Sequence, residues 1–324
     1  MCTSKWFSVV IPCLNEEENI GELIGSLHSQ TYRPIEVVLV DDGSTDKTLR
    51  IVGKLQKKLT EKDFAIKVLH AEEFEGKRGP SKSRNIGVRM AKGEYIVLVD
   101  ADWKFIDKRS VEKMMIGLRE LPVANFLLKP IIDNDLEYNL ALDANPKSLP
   151  THDAFRRGVI EKAPFDQNLG FGEDWDFIAR LKKQGLLQGV KSIDTEVGIH
   201  SPHTLKEYAE QKFWRGRTVW SLIKKYPKLI VIFPRLILPA SSFGLLLMAI
   251  LTAFVDVKIS FVFMALFTAI LIHLLLKSPK RSLGRAFHLI FIRMIFGSLL
   301  LTLGALCGFY LFFIKREFIP GRQA

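Results

Sequence analysis

The stretch Tyr95-Ile-Val-Leu-Val-Asp-Ala-Asp-Trp103 constrains the fold more than any other: an apolar run, mostly β-branched, stops on two carboxylates, Asp100 and Asp102, with one small residue between them. Such a run is expected to be a strand buried on both faces, as in parallel sheets covered by helices on each side. The acids then fall at its C-terminal end, the edge where open α/β sheets bind ligands. Two carboxylates one residue apart at that edge can share a divalent cation that carries a diphosphate, because such ions complete their shells with phosphate oxygens and water.

The residues before this stretch repeat one theme. Phe7 to Pro12 reads as a buried strand, after which Asn15 is expected to cap a helix reaching about His28, with Glu16 to Glu18 at its positive end and Ile20, Leu23, Ile24 and Leu27 on its inner face. Ile35 to Val40 reads as a second strand, ending on the acidic turn Asp41-Asp42-Gly-Ser-Thr-Asp46 and a helix over Lys47 to Leu59. A short strand, Ile66 to His70, leads through Lys77, Arg78 and Gly79 to a helix opening at Pro80 or Ser81, where a missing N–H costs nothing. Three βα units before residue 100 predict an α/β fold with a Rossmann-like, mostly parallel sheet. Beyond it, Phe126 to Tyr138 is expected to form a strand and turn, Tyr138 to Thr151 to be irregular, and Trp175 to Lys183 to be helical, with His200 and His203 in a later loop.

Composition changes near Leu229. The formal net charge of +11 would suit nucleic acid, yet after Leu229 the only acids are Asp256 and Glu317, while Lys and Arg cluster at the edges of apolar runs. Basic residues flanking membrane segments account for that excess, and no recognition motif accompanies it, so nucleic acid is not expected as a partner. The runs at 236–254, 259–276 and 294–314 are each roughly 18 to 21 residues, enough at about 1.5 Å per residue to cross a hydrocarbon core of roughly 30 Å. Pro234 and Pro239 leave open a re-entrant hairpin for the first two. Lys277, Lys280, Arg281 and Arg285 place the loop before the last run in the cytosol, and with three spans the N-terminal domain as well; Lys315, Arg316 and Arg322 count against this arrangement. The expected layout is a cytosolic catalytic domain over 1–204, a basic aromatic interfacial helix within 205–235 and a membrane region over 236–324. Three widely spaced cysteines, Cys2, Cys13 and Cys307, fit a reduced compartment, and the short Phe7 to Leu14 run is no signal peptide.

Several pieces in order carry a resemblance: Val9-Val-Ile-Pro-Cys-Leu-Asn-Glu16, Gln30-Thr-Tyr32, Val40-Asp-Asp-Gly-Ser-Thr-Asp46, Ser83-Arg-Asn-Ile-Gly87, Gly93 to Asp102, and Phe165-Asp-Gln-Asn-Leu-Gly-Phe-Gly-Glu-Asp-Trp-Asp176. Over about residues 7 to 216 the chain resembles the inverting family 2 glycosyltransferases of the GT-A fold. The resemblance implies a UDP- or GDP-sugar donor contacted by Pro12, Asn15, Glu16, Asp42 or Asp41 (the base), Arg84 with Lys82 as a further candidate (the phosphates), and Asp100. It also implies Mn2+ or Mg2+ at Asp100 and Asp102, the second acid usually the direct ligand and the first closer to the ribose or the metal shell, with His200, or His203 in its place, as a further ligand. Asp174 is the implied general base, with Glu173 beside it to orient or bind the acceptor; both acids also lie where a helix N-terminus favours them. Gln211-Lys-Phe-Trp-Arg-Gly216 departs from the Gln-x-x-Arg-Trp form of processive synthases, which speaks against polymerisation. A lipid-linked acceptor at the membrane is expected. A polyprenyl-phosphate sugar synthase is the nearest alternative, and a non-catalytic nucleotide-sugar binder a more distant one. A dinucleotide-dependent oxidoreductase is disfavoured because the turn Pro12 to Glu16 has no Gly-x-Gly-x-x-Gly and is acidic where a pyrophosphate would sit.

Overall fold

The computed structural model describes residues 5–131, 153–187, 189–200 and 204–227, together with Val262 and Cys307. These residues fall in two units: a sheet domain ending at His200, and the helix that follows it.

In the sheet domain β1 (Phe7–Cys13), β2 (Ile35–Asp41), β3 (Phe64–His70) and β4 (Tyr95–Leu98) run parallel in the order β3-β2-β1-β4. The sheet continues through β7 (Asp153–Arg156), β6 (Val123–Ile131), β8 (Val190–His200) and β5 (Trp103–Phe105), giving eight strands in the order β3-β2-β1-β4-β7-β6-β8-β5. The β4–β7, β6–β7 and β5–β8 pairs are antiparallel and β6–β8 is parallel, so the expected mostly parallel sheet becomes a mixed one beyond β4. The first half is doubly wound. Chain order reverses beside β1, which has β2 on one side and β4 on the other, and this is the switch point where such sheets open a crevice at their C-terminal edge.

Alternation along the strands sorts side chains to two cores. Phe7, Val9 and Ile11 with Val37, Leu39 and Val97 face α1 (Ile20–His28), α2 (Thr48–Leu59) and α4 (Ser110–Glu120). Val10, Val38, Val40, Ile96 and Leu98 face α3 (Pro80–Met90), the single turn α5 (Arg157–Ile160) and α6 (Glu173–Lys183). Each fully buried Val, Ile, Leu or Phe contributes roughly 1.5–3 kcal/mol, so these rows hold the frame to which the site loops attach. α3 lies especially close to the sheet: a Cβ on Gly87 would sit 2.3 Å from Val10 Cγ1 and 3.4 Å from Val40 Cγ2, so only glycine fits there. The C-terminal end of α3 is tied by Arg157, whose guanidinium donates to the carbonyls of Gly93 (2.8 Å), Ala91 (2.6 Å) and Val88 (3.3 Å).

Among the described residues the expected elements are present, with five shifts, one of them at β6, which starts at Val123 rather than Phe126 and whose expected continuation over 132–138 lies outside the described residues. The first helix begins at Ile20 rather than near Glu16, because the backbone N–H groups of Asn15, Glu16 and Glu17 are taken by Ser44 Oγ, Thr48 Oγ1 and Asp46 Oδ2 across the neighbouring loop. Asn15 therefore does not cap that helix. β3 starts two residues early, at Phe64. α6 starts at Glu173 rather than Trp175, after Gly172 in the left-handed conformation at φ 75°. His200 is the last residue of β8 rather than part of a loop; His203 lies outside the described residues, as does the segment 138–151.

The second unit contributes α7 (Leu205–Lys225), where a helix was expected; Thr204 Oγ1 accepts the Glu207 N–H at 3.1 Å and caps it. No helix among the described residues is long and apolar enough to cross a membrane. The apolar runs at 236–254, 259–276 and 294–314 lie outside the described residues.

Candidate active site

Four segments meet along the C-terminal edge of the parallel strands. The loops after β1 and β2 are stitched together side chain to backbone: Asn15 adopts φ 53°, its Oδ1 accepts from Thr45 N (2.8 Å), and Glu17 Oε2 accepts from Lys47 N (2.8 Å). Pro12 is the residue before last of β1, paired with Val40. Glu16 takes the Asn19 side-chain amide at 3.0 Å. The sequence-expected donor residues Pro12, Asn15 and Glu16 are thus brought beside Asp41 and Asp42 mainly by loop-to-loop hydrogen bonds.

The two aspartates divide their work. Asp41 is buried, and its carboxylate accepts the N–H groups of Gly43 (3.1 Å) and Ser44 (3.2 Å), an Asx turn that shapes the loop. Asp42 has its amide fixed on Cys13 O at 2.9 Å and its side chain 11% exposed. Burial raises its pKa, and the Arg78 guanidinium, 3.6 Å from the carboxylate, opposes that rise. Arg78 also donates to the Asp42 carbonyl. In sequence Arg78 is only one cation of a charged loop, and its one signal is its place beside Gly79, the residue before α3. Lys82, on the first turn of α3, is buried, and its charge also favours ionised Asp42.

Past β4, Val99 N donates to Val10 O (3.0 Å), which carries the chain to Asp100 at the switch point. Arg84 on α3 binds Asp100 Oδ1 through Nη2 and Glu173 Oε1 through Nη1, each at 2.8 Å, and its guanidinium lies 5.6 Å from the centre of the Phe165 ring. Arg84 was expected at the phosphates; in this arrangement it joins the metal-motif acid to the acid at the start of α6. Next to it Asn85 makes a reciprocal pair with the Phe165 backbone, donating to its carbonyl (2.9 Å) and accepting its N–H (2.8 Å). Asn85 stands in the motif but was given no role from sequence; its amide fixes the segment that leads to α6.

Asp174 is half-buried, and its Oδ1 accepts the Trp175 N–H at 2.8 Å. Burial, and next the neighbouring Glu173 carboxylate, push its pKa up to about 7. A carboxyl so tuned can hold or take a proton near neutral pH, the property a general base needs. Asp176, the third acid of the run, is buried and paired with Arg180 at 2.8 Å, one turn along α6.

The donors expected from sequence for a divalent cation are the pair Asp100 and Asp102. Among the described residues no group of three His, Cys, Asp or Glu side chains forms a ready cage. The pair fits an open site of hard oxygen ligands completed by a substrate's phosphates, since the Asp100 side chain is 44% exposed even with one oxygen on Arg84. His200 is adjacent through the backbone, its N–H donating to Asp102 O at 2.9 Å, but its ring Nε2 lies 2.7 Å from Glu22 Oε2. Lys104 Nζ shares that glutamate at 2.5 Å.

With this geometry in view, residues 8–168 match the family model Glycosyl transferase family 2. The poly(ribitol-phosphate) beta-N-acetylglucosaminyltransferase TarS of Staphylococcus aureus is 42% identical over 108 residues, which are 33% of this chain and 18% of that protein. The chain thus spans less than a fifth of that relative's length. Among solved structures, S. aureus TarS 1–349 in complex with UDP-GlcNAc superposes with a TM-score of 0.50 at 24% identity, covering 67% of this chain and 66% of that one. Glucosyl-3-phosphoglycerate synthase of Mycobacterium tuberculosis, in complex with Mn2+, UDP-glucose and phosphoglyceric acid, also gives 0.50, at 19% identity over 68% of this chain and 79% of that one. These likenesses show a shared Rossmann-like GT-A fold; the family match by itself marks residues 8–168 of this chain as a glycosyltransferase family 2 domain.

Proposed function

We propose that the protein transfers a sugar from a UDP- or GDP-sugar, with inversion at the anomeric carbon, to a hydroxyl of a lipid-linked glycan or lipid acceptor at a membrane. The observation that carries this reading is the Asp174 carboxyl, raised to about 7 and joined through Glu173 and Arg84 to Asp100 at the switch point. Asp42 would accept a hydrogen bond from the nucleotide base in the crevice bounded by Asn15 and Arg78. Asp100 and Asp102 would hold Mn2+ or Mg2+, which supplies charge neutralisation for the departing diphosphate. Glu173, anchored on Arg84, keeps the first turn of α6 in place. Asp174 then takes the proton of the attacking hydroxyl, so a single displacement needs only this one base.

The same observation favours a hydroxyl acceptor over the phosphate of a polyprenyl-phosphate sugar synthase, because an acceptor that is already anionic has no proton for Asp174 to remove. Similarity to TarS and to glucosyl-3-phosphoglycerate synthase, whose structures hold UDP-GlcNAc in one case and UDP-glucose with Mn2+ in the other, supports the donor class and the metal. The apolar runs after residue 235 and their basic flanks support anchoring, with the sheet domain on the cytosolic side. Calorimetry of the full chain with UDP and with GDP, each with and without Mn2+, tests the reading. Metal-dependent binding of one nucleotide is expected, with Asp174→Asn keeping that binding while losing transfer. No metal-dependent binding of either would overturn the assignment.

A further inference from the structure

Resting on the sugar-transfer reading, we propose that Arg84 is a placeholder cation: before a divalent metal arrives it holds Asp100 and Glu173 together, and it competes with that metal for Asp100. The geometry is asymmetric. One planar guanidinium gives Nη2 to Asp100 and Nη1 to Glu173, both at 2.8 Å, yet the Asp100 side chain is 44% exposed and that of Glu173 only 11%. An ion pair open to water is weakly held, whereas breaking a buried one leaves a charge without solvent or partner. The Asp100 contact is therefore the one that exchanges, and the Glu173 contact is the one that stays.

The scaffold around Arg84 supports a fixed cation rather than a mobile surface one. Its side chain is 12% exposed and lies against the Phe165 ring, and the next residue, Asn85, locks the Phe165 backbone. One turn along, Gly87 brings α3 onto Val10 and Val40. The guanidinium is thus held level with the end of β4 while one of its two carboxylate partners can be taken by an incoming ion. When a metal takes Asp100, Arg84 keeps Glu173 and leaves Nη2 beside the incoming diphosphate. Loading the donor side thereby changes the charge next to the acid pair Glu173 and Asp174. Arg84 acts here as a positioning residue.

The test is Mn2+ titration of the full chain in detergent, first without nucleotide and then with UDP or GDP, for the wild type, Arg84→Met, Arg84→Lys, Glu173→Gln and the Arg84→Met/Glu173→Gln pair. Without nucleotide, Arg84→Met should bind Mn2+ roughly fivefold more tightly, the factor expected from removing a nearby unit charge in a water-exposed setting. Arg84→Lys should fall between it and the wild type. Glu173→Gln should weaken Mn2+ binding, because Arg84 then turns wholly to Asp100, and should have no effect once Arg84 is Met. A role confined to packing predicts the opposite sign, with weaker Mn2+ binding in Arg84→Met alongside a lower unfolding temperature. If Arg84→Met fails to fold, the Arg84→Lys and Glu173→Gln comparison decides with the same signs. Unchanged or weaker Mn2+ binding in the Arg84 variants overturns this proposal alone, while a wild type that binds no nucleotide with Mn2+ overturns the transfer reading as well.

Discussion

Replacing Asp174 with Asn should make the protein more stable above neutral pH while abolishing transfer. In the folded protein the Asp174 carboxyl keeps its proton up to about pH 7, through burial and then the Glu173 charge; in the unfolded chain it keeps it only to about pH 3.9. Between those values the folded state binds the extra proton, so stability falls as pH rises, and the whole cost is present above pH 7. Moving a carboxyl that far corresponds to at most about 4 kcal/mol. Asp174 is only half-buried, however, and screening by the water that reaches it brings the expected cost to about 1–2 kcal/mol. Asparagine keeps the oxygen that accepts the Trp175 N–H and removes the charge. Thermal unfolding of the full chain at pH 5 and pH 8.5 should therefore show little difference at the lower pH and a midpoint raised by about 2–8 °C for Asp174→Asn at the higher. Turnover with any accepted donor should drop by about 10²–10⁴. A variant equally stable, or less stable, at pH 8.5 would refute the argument that this acid is held against its own burial.

For the wild type the transfer rate should rise with pH through about 7 and level off above it, as the Asp174 carboxyl is converted to the base form; a rate independent of pH between 5.5 and 8.5 would remove Asp174 from that role. Asn85→Ala should cost about 1–3 kcal/mol in unfolding experiments, since it leaves both backbone groups of Phe165 without the amide that pairs them. Gly87→Ala should cost about 1–3 kcal/mol, because the added methyl would overlap Val10 and force α3 off the sheet; hydrogen exchange in α3 reads it directly. Asp102→Asn should reduce Mn2+-dependent nucleotide binding with little change in metal-independent binding, which calorimetry separates.

What could be read from sequence was what local pattern determines. The β-branched runs 35–40 and 95–98 became central strands, and the 3.6-residue spacing of Ile20, Leu23, Ile24 and Leu27 became the buried face of α1. In the mixed half of the sheet only β6 was legible, as the strand expected from Phe126; β7 and β5 are only four and three residues long and owe their existence to partners far along the chain, Tyr95–Val97 and Val197–Ile199. The error at Asn15 has the same origin. An asparagine before three glutamates is a good helix cap by its own preferences, but the N–H groups it would organise find acceptors on Ser44, Thr48 and Asp46, some thirty residues on.

The site itself divides along that line. Asp42, Asp100, Asp102 and Asp174 stand where the strand and helix pattern ends, and such positions can be picked out one element at a time. The bridging roles of Arg84 and Asn85 cannot, because each works between elements: one side chain, expected at the phosphates, spans the end of β4 and the start of α6, and the other holds Phe165, eighty residues away, by its backbone. The carboxylates supply reactive groups, but Glu173 and Asp100 would repel one another across the crevice without a cation between them. That cation comes from a helix close enough to the sheet to deliver it, and the closeness depends on Gly87, a residue with no side chain at all. Replacing either Gly87 or Arg84 should therefore disturb the distance between Asp100 and Asp174 without altering either carboxylate.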